Sequence, residues 1–184
     1  QQKNLAFALE RLVSDTIEAV RPFEEKKGAP IPVIAAGGVY TGADIHRFLS
    51  MGAAGVQLGT RFVATHECDA DQAFKDSYIQ AKGPEDLAII KSPVGMPGRA
   101  VRNEFINQTE RGEKTPFTCP YHCVVTCEPE KSPYCIALAL LNAKLGRLKR
   151  GFAFAGANAW RVDKIVSVRE LMRELVDEYE AAAA

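Results

Sequence analysis

The sequence predicts an α/β protein: the C-terminal portion of a (β/α)8 TIM barrel, followed by a mainly helical C-terminal segment. Two short apolar segments within residues 31–65 are each followed by a glycine turn and the start of a helix, which indicates parallel strands joined through a helix. The chain has 184 residues, of which 47% are hydrophobic, so it can form a sizeable core. A whole barrel takes about 250 residues, so we expect only part of one.

A helix is predicted from Gln1 to Phe23, because apolar residues recur at intervals of three and four. Pro22 is expected to end this helix, and Glu24 to Ala29 to form a solvated turn. The apolar positions are Leu5, Leu9, Leu12, Val13, Ile17 and Val20. We expect the helix to lie on the outside of the barrel.

A strand–helix–strand unit follows. Ile31 to Ala36 is an apolar run between Pro30 and two glycines, typical of a strand buried on both faces. Thr41 or Gly42 can open a helix, with a stripe formed by Ile45, Phe48 and Leu49, and Gly52 ends it. Gly55 to Gly59 predicts the second strand, parallel to the first and connected in the right-handed sense.

Both strands end in glycine, at the sheet edge where such folds bind ligands. Gly37 and Gly38 allow close approach to the backbone, and Gly59-Thr60 leads directly into another predicted helix. Backbone N–H groups and a helix dipole at this point favour an anion, usually phosphate. The alternative is that the glycines only make tight turns.

The remaining chain alternates helices and irregular segments. Helices are predicted over Asp69–Ala81 and Ser132–Gly146, and a last helix follows a capping box of Ser167 and Glu170. Leu87 to Ile90 favours a short strand. Ser92–Asn103 contains two prolines and two glycines and is predicted to be a loop of defined conformation. Asn107–Thr118 is predicted to be a polar, mobile segment. We divide the chain into a barrel part, 1–91, and a lid part, 92–184.

Four cysteines lie within 17 residues: Cys119, Cys123, Cys127 and Cys135, spaced C-x3-C-x3-C-x7-C. A helix opened by Pro120 would put the first three on one side. Thiolates suit zinc or an iron–sulfur cluster, and His122 could add a ligand. The spacing is not a strong metal template, so inert buried thiols and a redox or disulfide role remain open.

Five sequence segments resemble the nitronate monooxygenase (2-nitropropane dioxygenase) family, which is close to the FMN-dependent type II enoyl-acyl-carrier-protein reductases. These segments are VIAAGGVYTGADIHRFLSMGAAGVQLGTRFVATHE, KDSYIQAK, SPVGMPGRAVRN, YCIALAL and FAFAGANAWRV. The resemblance implies an FMN-binding TIM barrel whose FMN site contains Ala36, Gly37, Gly38, Gln57, Leu58, Gly59 and Thr60. It also makes Gly156, Asn158 and Arg161 candidates for flavin or substrate contact. Arg99 and Arg102 could bind a ligand's anionic group, although surface arginines usually pair with nearby carboxylates.

The same resemblance implies a cytoplasmic enzyme for a small-molecule substrate, with a homodimer possible. Either an alkyl nitronate is oxidised with O2, or an enoyl thioester is reduced with NAD(P)H. The family's catalytic histidine precedes a segment like the first 23 residues, so no catalytic residue is assigned. His46, His66 and His122 do not match that position. We expect the missing strands to come from preceding chain or from a partner polypeptide.

Composition excludes some functions. The chain has 23 basic and 23 acidic residues, which argues against nucleic acid, and no run is apolar enough to cross a membrane or to act as a signal peptide. An inosine monophosphate dehydrogenase-like barrel is an alternative, but no cysteine precedes Gly37. A third interpretation is a non-catalytic, cysteine-rich metal-binding or interaction module.

Overall fold

The computed structural model describes residues 8–119, 121–125 and 127–184, and their mixture of helices and strands confirms the predicted α/β class. The described residues form α1 (Leu9–Lys27), β1 (Ile34–Ala36), α2 (Gly42–Ser50), β2 (Gly55–Gln57), α3 (Thr60–Val63), α4 (Gln72–Gln80), β3 (Leu87–Lys91), β4 (Pro97–Val101), α5 (Glu104–Glu110), α6 (Ile136–Lys144) and α7 (Val168–Ala183). Their strands form two sheets of two strands each, so the barrel stays a prediction.

The chain forms two compact units. The first is Gln1–Phe62 with Ser167–Ala184, and the second is Val63–Val166. These boundaries differ from the predicted division into a barrel part, 1–91, and a lid part, 92–184. That division stays a prediction. Within the described residues, no helix combines the length and the apolar character needed to cross a membrane.

Helix α1 does not end at Pro22, as the sequence predicted. Pro22 lies inside the helix, and most of the expected turn from Glu24 is helical. The helix ends at Gly28, whose φ of 68° is left-handed and whose N–H donates to the Glu24 carbonyl at 2.8 Å. This cap is available to glycine without strain, so it determines the end of the helix. Residues 1–7 of the predicted helix lie outside the described part.

The predicted parallel unit is present in the first compact unit. Strand β1 pairs with β2 in parallel register, from Ile34 opposite Gly55 to Ala36 opposite Gln57, with α2 between them in sequence. Thr41 caps α2 in a capping box with Asp44. These contacts confirm the predicted strands, although both are shorter than expected.

Burial of β1 on both faces was a wrong prediction. Ala35 is 1% exposed, whereas Ile34 is 52% exposed and Ala36 is also exposed. The strand alternates because only one of its faces packs on a core in the described residues. That core contains Val13, Ala35, Val39, Phe48 and Ala53, with partly buried Leu9, Ile17, Ile45, Met51, Val56 and Leu58 around it.

The second unit contains an antiparallel hairpin of β3 and β4. Strand β3 confirms the predicted strand, but β4 corrects the loop expected over residues 92–103. The backbone of β4 forms a strand because it pairs with β3. Pro97 and Gly98 are residues typical of turns, so they indicated a loop at this position. Likewise, part of the expected polar loop from Asn107 belongs to α5, which Asn103 caps by accepting from the Ile106 N–H at 3.0 Å.

An aromatic cluster forms the core of this unit. Phe105 and Tyr134 meet edge to face at 5.1 Å between ring centroids, and Phe152 lies 5.9 Å from Tyr134. Helix α6 packs against them through Ala139. This helix begins at Ile136, so Pro133 precedes it instead of occupying its first turn, and the Pro133 carbonyl accepts the Thr115 N–H at 2.8 Å.

The helix predicted through the cysteine segment does not form in the described residues there. His122 has a φ of 44°, a left-handed backbone that a right-handed helix cannot include. Pro120 and Thr126 lie outside the described residues. The final helix α7 begins as predicted, with the capping box of Ser167 and Glu170.

Candidate functional site

Two glycine turns leave the same edge of the β1–β2 sheet. Ala36 is opposite Gln57 in the parallel register, so the chain passes from this level into Gly37-Gly38 on one strand and Leu58-Gly59 on the other. Parallel strands bring equivalent ends together, which places both turns at one carboxyl edge. The predicted phosphate loops are therefore neighbours.

The turns leave open space beside the backbone. Gly37 and Gly38 have φ values of 89° and 94°, which glycine adopts without steric cost. A Cβ built at Gly37, Gly38 or Gly59 would have no heavy atom within 4 Å. Packing therefore does not explain the lack of side chains here, and a ligand group could approach the backbone closely.

The N-terminus of α2 is closed by the chain's own acidic groups. The backbone N–H groups of Tyr40 and Thr41 each donate to Asp44 Oδ2 at 3.0 Å, and that of Gly42 donates to Glu178 Oε2 at 2.6 Å. The Asp44 N–H donates to Thr41 Oγ1 at 3.1 Å. An anion would have to displace these bonds, so the open part of the site is the glycine turns.

Asp44 is suited to this capping role. Burial alone would raise the pKa of its carboxyl group, but hydrogen bonds from the Thr41 and Tyr40 backbone and from the Thr41 side chain lower it. The charge of Arg47, at 3.0 Å from Asp44 Oδ1, adds to this effect. The balance holds the pKa of Asp44 below its ordinary value, so the carboxylate is ionised at neutral pH.

Arg61 is a residue of this site that the sequence analysis missed. Its guanidinium group donates to the Tyr40 carbonyl at 3.1 Å and pairs with Glu174 at 2.9 Å, and it lies 4.6 Å from the centroid of the Tyr40 ring. Its side chain is 10% exposed. Arg61 follows the second glycine turn and Tyr40 follows the first, so this cluster connects the two turns. The sequence signal that could have identified Arg61 as a site residue is its position directly after Gly59-Thr60.

Other predicted site residues belong to the second unit. Arg102 donates to Glu110 at 2.9 Å and to Asn107 at 3.1 Å, which is the structural pairing considered for it. Arg99 lies exposed on β4. Gly156, Asn158 and Arg161 lie in or next to a 3-10 turn at Ala159–Arg161. Their ligand roles stay predictions.

The histidines occupy three different settings. His46 lies on α2, with its ring 5.4 Å from that of Tyr179 and Nε2 3.4 Å from Ser50 Oγ. His66 is exposed, and its backbone N–H donates to the Val166 carbonyl at 2.9 Å. His122 lies in the cysteine segment, and its backbone N–H is 3.4 Å from Cys119 Sγ.

The cysteine segment lines a cavity of about 250 Å³ together with His122; the four cysteines are Cys119, Cys123, Cys127 and Cys135. Nevertheless, the described part of the chain contains no group of three or more His, Cys, Asp or Glu side chains that could hold a metal ion. All five cysteines are free thiols. The zinc or iron–sulfur interpretation is thus unsupported, because the helix expected to align the thiols does not form.

Two parallel strands that end in adjacent glycine turns occur in α/β proteins that bind phosphate-bearing ligands at a sheet edge. The sequence model of the family described as nitronate monooxygenase matches residues 2–178. The chain therefore belongs to the nitronate monooxygenase family.

Known proteins are similar to parts or all of this chain. A Rhodococcus jostii protein named (3aS,4S,5R,7aS)-5-hydroxy-7a-methyl-1-oxo-octahydro-1H-indene-4-carboxyl-CoA dehydrogenase is 40% identical over 80 residues, 44% of this chain and 22% of that protein. A "Probable nitronate monooxygenase" of Staphylococcus saprophyticus is 38% identical over 78 residues, 42% of this chain and 22% of that protein.

Two solved structures are similar over nearly the whole chain. The structure of FabK from Thermotoga maritima has a TM-score of 0.71 and 25% identity, covering 96% of this chain and 50% of that one. Nitroalkane oxidase from Streptomyces ansochromogenes has a TM-score of 0.68 and 25% identity, covering 100% of this chain and 48% of that one. The chain thus spans about half the length of these structures.

Proposed function

We propose that this chain is part of an FMN-dependent oxidoreductase that oxidises alkyl nitronates with O2. The observation that carries the proposal is the pair of open glycine turns at one sheet edge. The FMN phosphate group would bind there, at the residues expected from the sequence: Ala36, Gly37, Gly38, Gln57, Leu58, Gly59 and Thr60. The sheet edge would be part of a TIM barrel in the whole protein.

The residues present fit a phosphate group. Glycine backbone can approach an anion closely, and side chains at these positions would occupy the open space described above. Arg61 supports the turns but already pairs with Glu174 at 2.9 Å, so we assign recognition to the backbone and to Thr60. Bound FMN would supply the redox chemistry, and this chain's residues would orient it by holding its phosphate.

Family membership and the likeness to nitroalkane oxidase support a nitronate or nitroalkane substrate. A second candidate is the reduction of an enoyl thioester with NAD(P)H. It is supported by the likeness to FabK and by the Rhodococcus relative, whose name specifies a CoA thioester. No catalytic residue is assigned in either case, and a cytoplasmic homodimer stays a prediction.

The decisive experiment measures FMN binding by the intact protein and its Gly59→Leu variant, using flavin absorbance and fluorescence quenching. Gly59 has no left-handed backbone and no neighbour within 4 Å of its Cβ position, so leucine should fit without disturbing the fold. We expect the variant to lose at least about tenfold in FMN affinity, because its side chain would occupy the phosphate's place.

Ala54→Leu is the matched control, since Ala54 is an exposed loop residue before the second strand. It should bind FMN like the unsubstituted protein. Equal affinity in Gly59→Leu would remove the phosphate site from the glycine turns. With FMN bound, O2 consumption with an alkyl nitronate and NAD(P)H oxidation with an enoyl thioester then decide between the two substrates.

A further inference from the structure

A second cavity lies in the aromatic core of the second unit. It has a volume of about 310 Å³, at the small end of the ~300–1,000 Å³ typical of ligand sites. Its lining includes Phe105, Ile106 and Phe152, which are 3%, 2% and 0% exposed, so they belong to a packed core. Ile89 on the same lining is 61% exposed, and together with the edge of this core it offers a preformed apolar surface for a small molecule.

Tyr134 adds a polar group to this apolar lining. Its side chain is 4% exposed and lines the cavity, yet its hydroxyl group makes no hydrogen bond within the described residues. No fully buried side-chain oxygen or nitrogen in the described chain is left without such a bond, so this hydroxyl is in contact with solvent. Burial raises the pKa of Tyr134 to about 12, which keeps the hydroxyl a donor at neutral pH.

The charges around the cavity favour an anion. Lys91 lines it at the end of β3, is exposed, and has no acidic partner within the described chain. The acidic group on the same lining, Glu110, is paired with Arg102 at 2.9 Å. The Thr109 hydroxyl is used as well, since it donates to the Phe105 carbonyl at 2.9 Å. The uncommitted polar groups are therefore the ammonium of Lys91 and the hydroxyl of Tyr134.

We propose that this cavity binds a small apolar carboxylic acid, with its carbon skeleton against Ile89 and the edge of the aromatic core, and its carboxylate near Lys91 and Tyr134. A carboxylate accepts hydrogen bonds, and its negative charge would give Lys91 the acidic partner that the described chain does not provide. This site is separate from the glycine turns and does not depend on the proposed FMN chemistry.

Octanoate is a suitable probe, and isothermal titration calorimetry of the intact protein measures its binding. We expect saturable binding at one site, about tenfold tighter than that of octan-1-ol, since a hydrogen bond to a charged group is stronger than one to a neutral group. Added salt should weaken octanoate binding, because Lys91 is exposed and its attraction is screened. Octylamine should bind more weakly than octanoate.

Two variants test the polar groups. Tyr134→Phe keeps the ring and its contacts, and should lower octanoate affinity about fivefold through the lost hydrogen bond. Lys91→Gln alters an exposed residue, so it should fold normally, and it should lower the affinity about threefold and abolish most of the salt dependence. The matched controls are Tyr121→Phe and Lys149→Gln, exposed residues that do not line the cavity.

Both controls should bind octanoate like the unsubstituted protein. The proposal is overturned if octanoate shows no saturable binding, or if octylamine binds at least as tightly. It is also overturned if Tyr134→Phe and Lys91→Gln bind octanoate no more weakly than their controls. Because FMN affinity is measured independently, failure here leaves the proposed function untouched, and the reverse also holds.

Discussion

Asp44 links the first glycine turn to the helix that follows it. Its carboxylate accepts the N–H groups of Tyr40 and Thr41, which otherwise would lack partners at a helix start. The pKa of Asp44 is below its ordinary value in the folded protein, so its contribution to stability is present above about pH 4. That contribution is lost as the pH falls through the folded-state pKa.

Replacing Asp44 with asparagine therefore should change the pH dependence of stability. We expect Asp44→Asn to lower the free energy of unfolding by about 1 kcal/mol at neutral pH, as for a weakened N-cap. On acidification from about pH 6 to pH 3, the unsubstituted protein should lose more stability than the variant. Urea unfolding across this range measures both. A constant difference between the two proteins at every pH would contradict the ionised-cap account.

Gly42 decides how closely two helices approach in the first unit. A Cβ at this position would overlap the Leu175 carbonyl oxygen and the Tyr179 backbone nitrogen, and would lie 2.7 Å from Glu178 Cβ. Helix α2 can thus lie directly against the backbone of α7. The Gly42 N–H also donates to Glu178 Oε2, which fixes the same contact by hydrogen bonding.

Gly42→Ala should consequently destabilise the protein, although alanine normally favours a helix. Backbone atoms block the new methyl group, so α2 and α7 must separate, and we expect a cost of about 2 kcal/mol, typical of overpacking. Thermal or urea unfolding of flavin-free protein measures it. Gly59→Ala is the matched control, because its Cβ enters open space. Similar stability of the two variants would show that the helices are not in close contact.

Across the whole molecule, each compact unit has its own core and its own candidate site. The first contains the β1–β2 sheet with the glycine turns, and the second contains the aromatic cluster with the apolar cavity. The cysteines belong to the second unit and occur as five free thiols: Cys68, Cys119, Cys123, Cys127 and Cys135. The last four are clustered in the sequence because they line one cavity, and not because they form a bonded framework.

The thiol state is directly measurable for the whole chain. Titration with Ellman's reagent in denaturant, with no reductant added, should report five thiols per chain. Removing metal with a chelator beforehand should not increase the number. A value of three would indicate a disulfide and contradict the free-thiol structure. The same titration without denaturant should be fastest at Cys123, which is the exposed member of the group.

Local patterns in the sequence predicted the parts of this protein that local physics controls. Capping boxes depend on residues three positions apart: the one at Ser167 was predicted, and Thr41 was one of the two residues expected to open α2. The glycine spacing likewise predicted two parallel strands with turns at one edge. Two predictions failed because another contact outweighed a local signal. Pro22 did not end α1, whose cap is at Gly28, and Pro97 did not prevent a strand, because β4 pairs with β3.

By itself, the sequence determined the α/β class, the order of the main elements and the place of the two glycine turns, because these follow from chain periodicity and glycine's conformational freedom. Only the tertiary structure decided which charges those turns can use. Arg61 meets Glu174, 113 residues later in the chain, and the Gly42 N–H meets Glu178, 136 residues away. Such pairings depend on how α7 packs against the rest of the first unit, and sequence spacing carries no record of that contact.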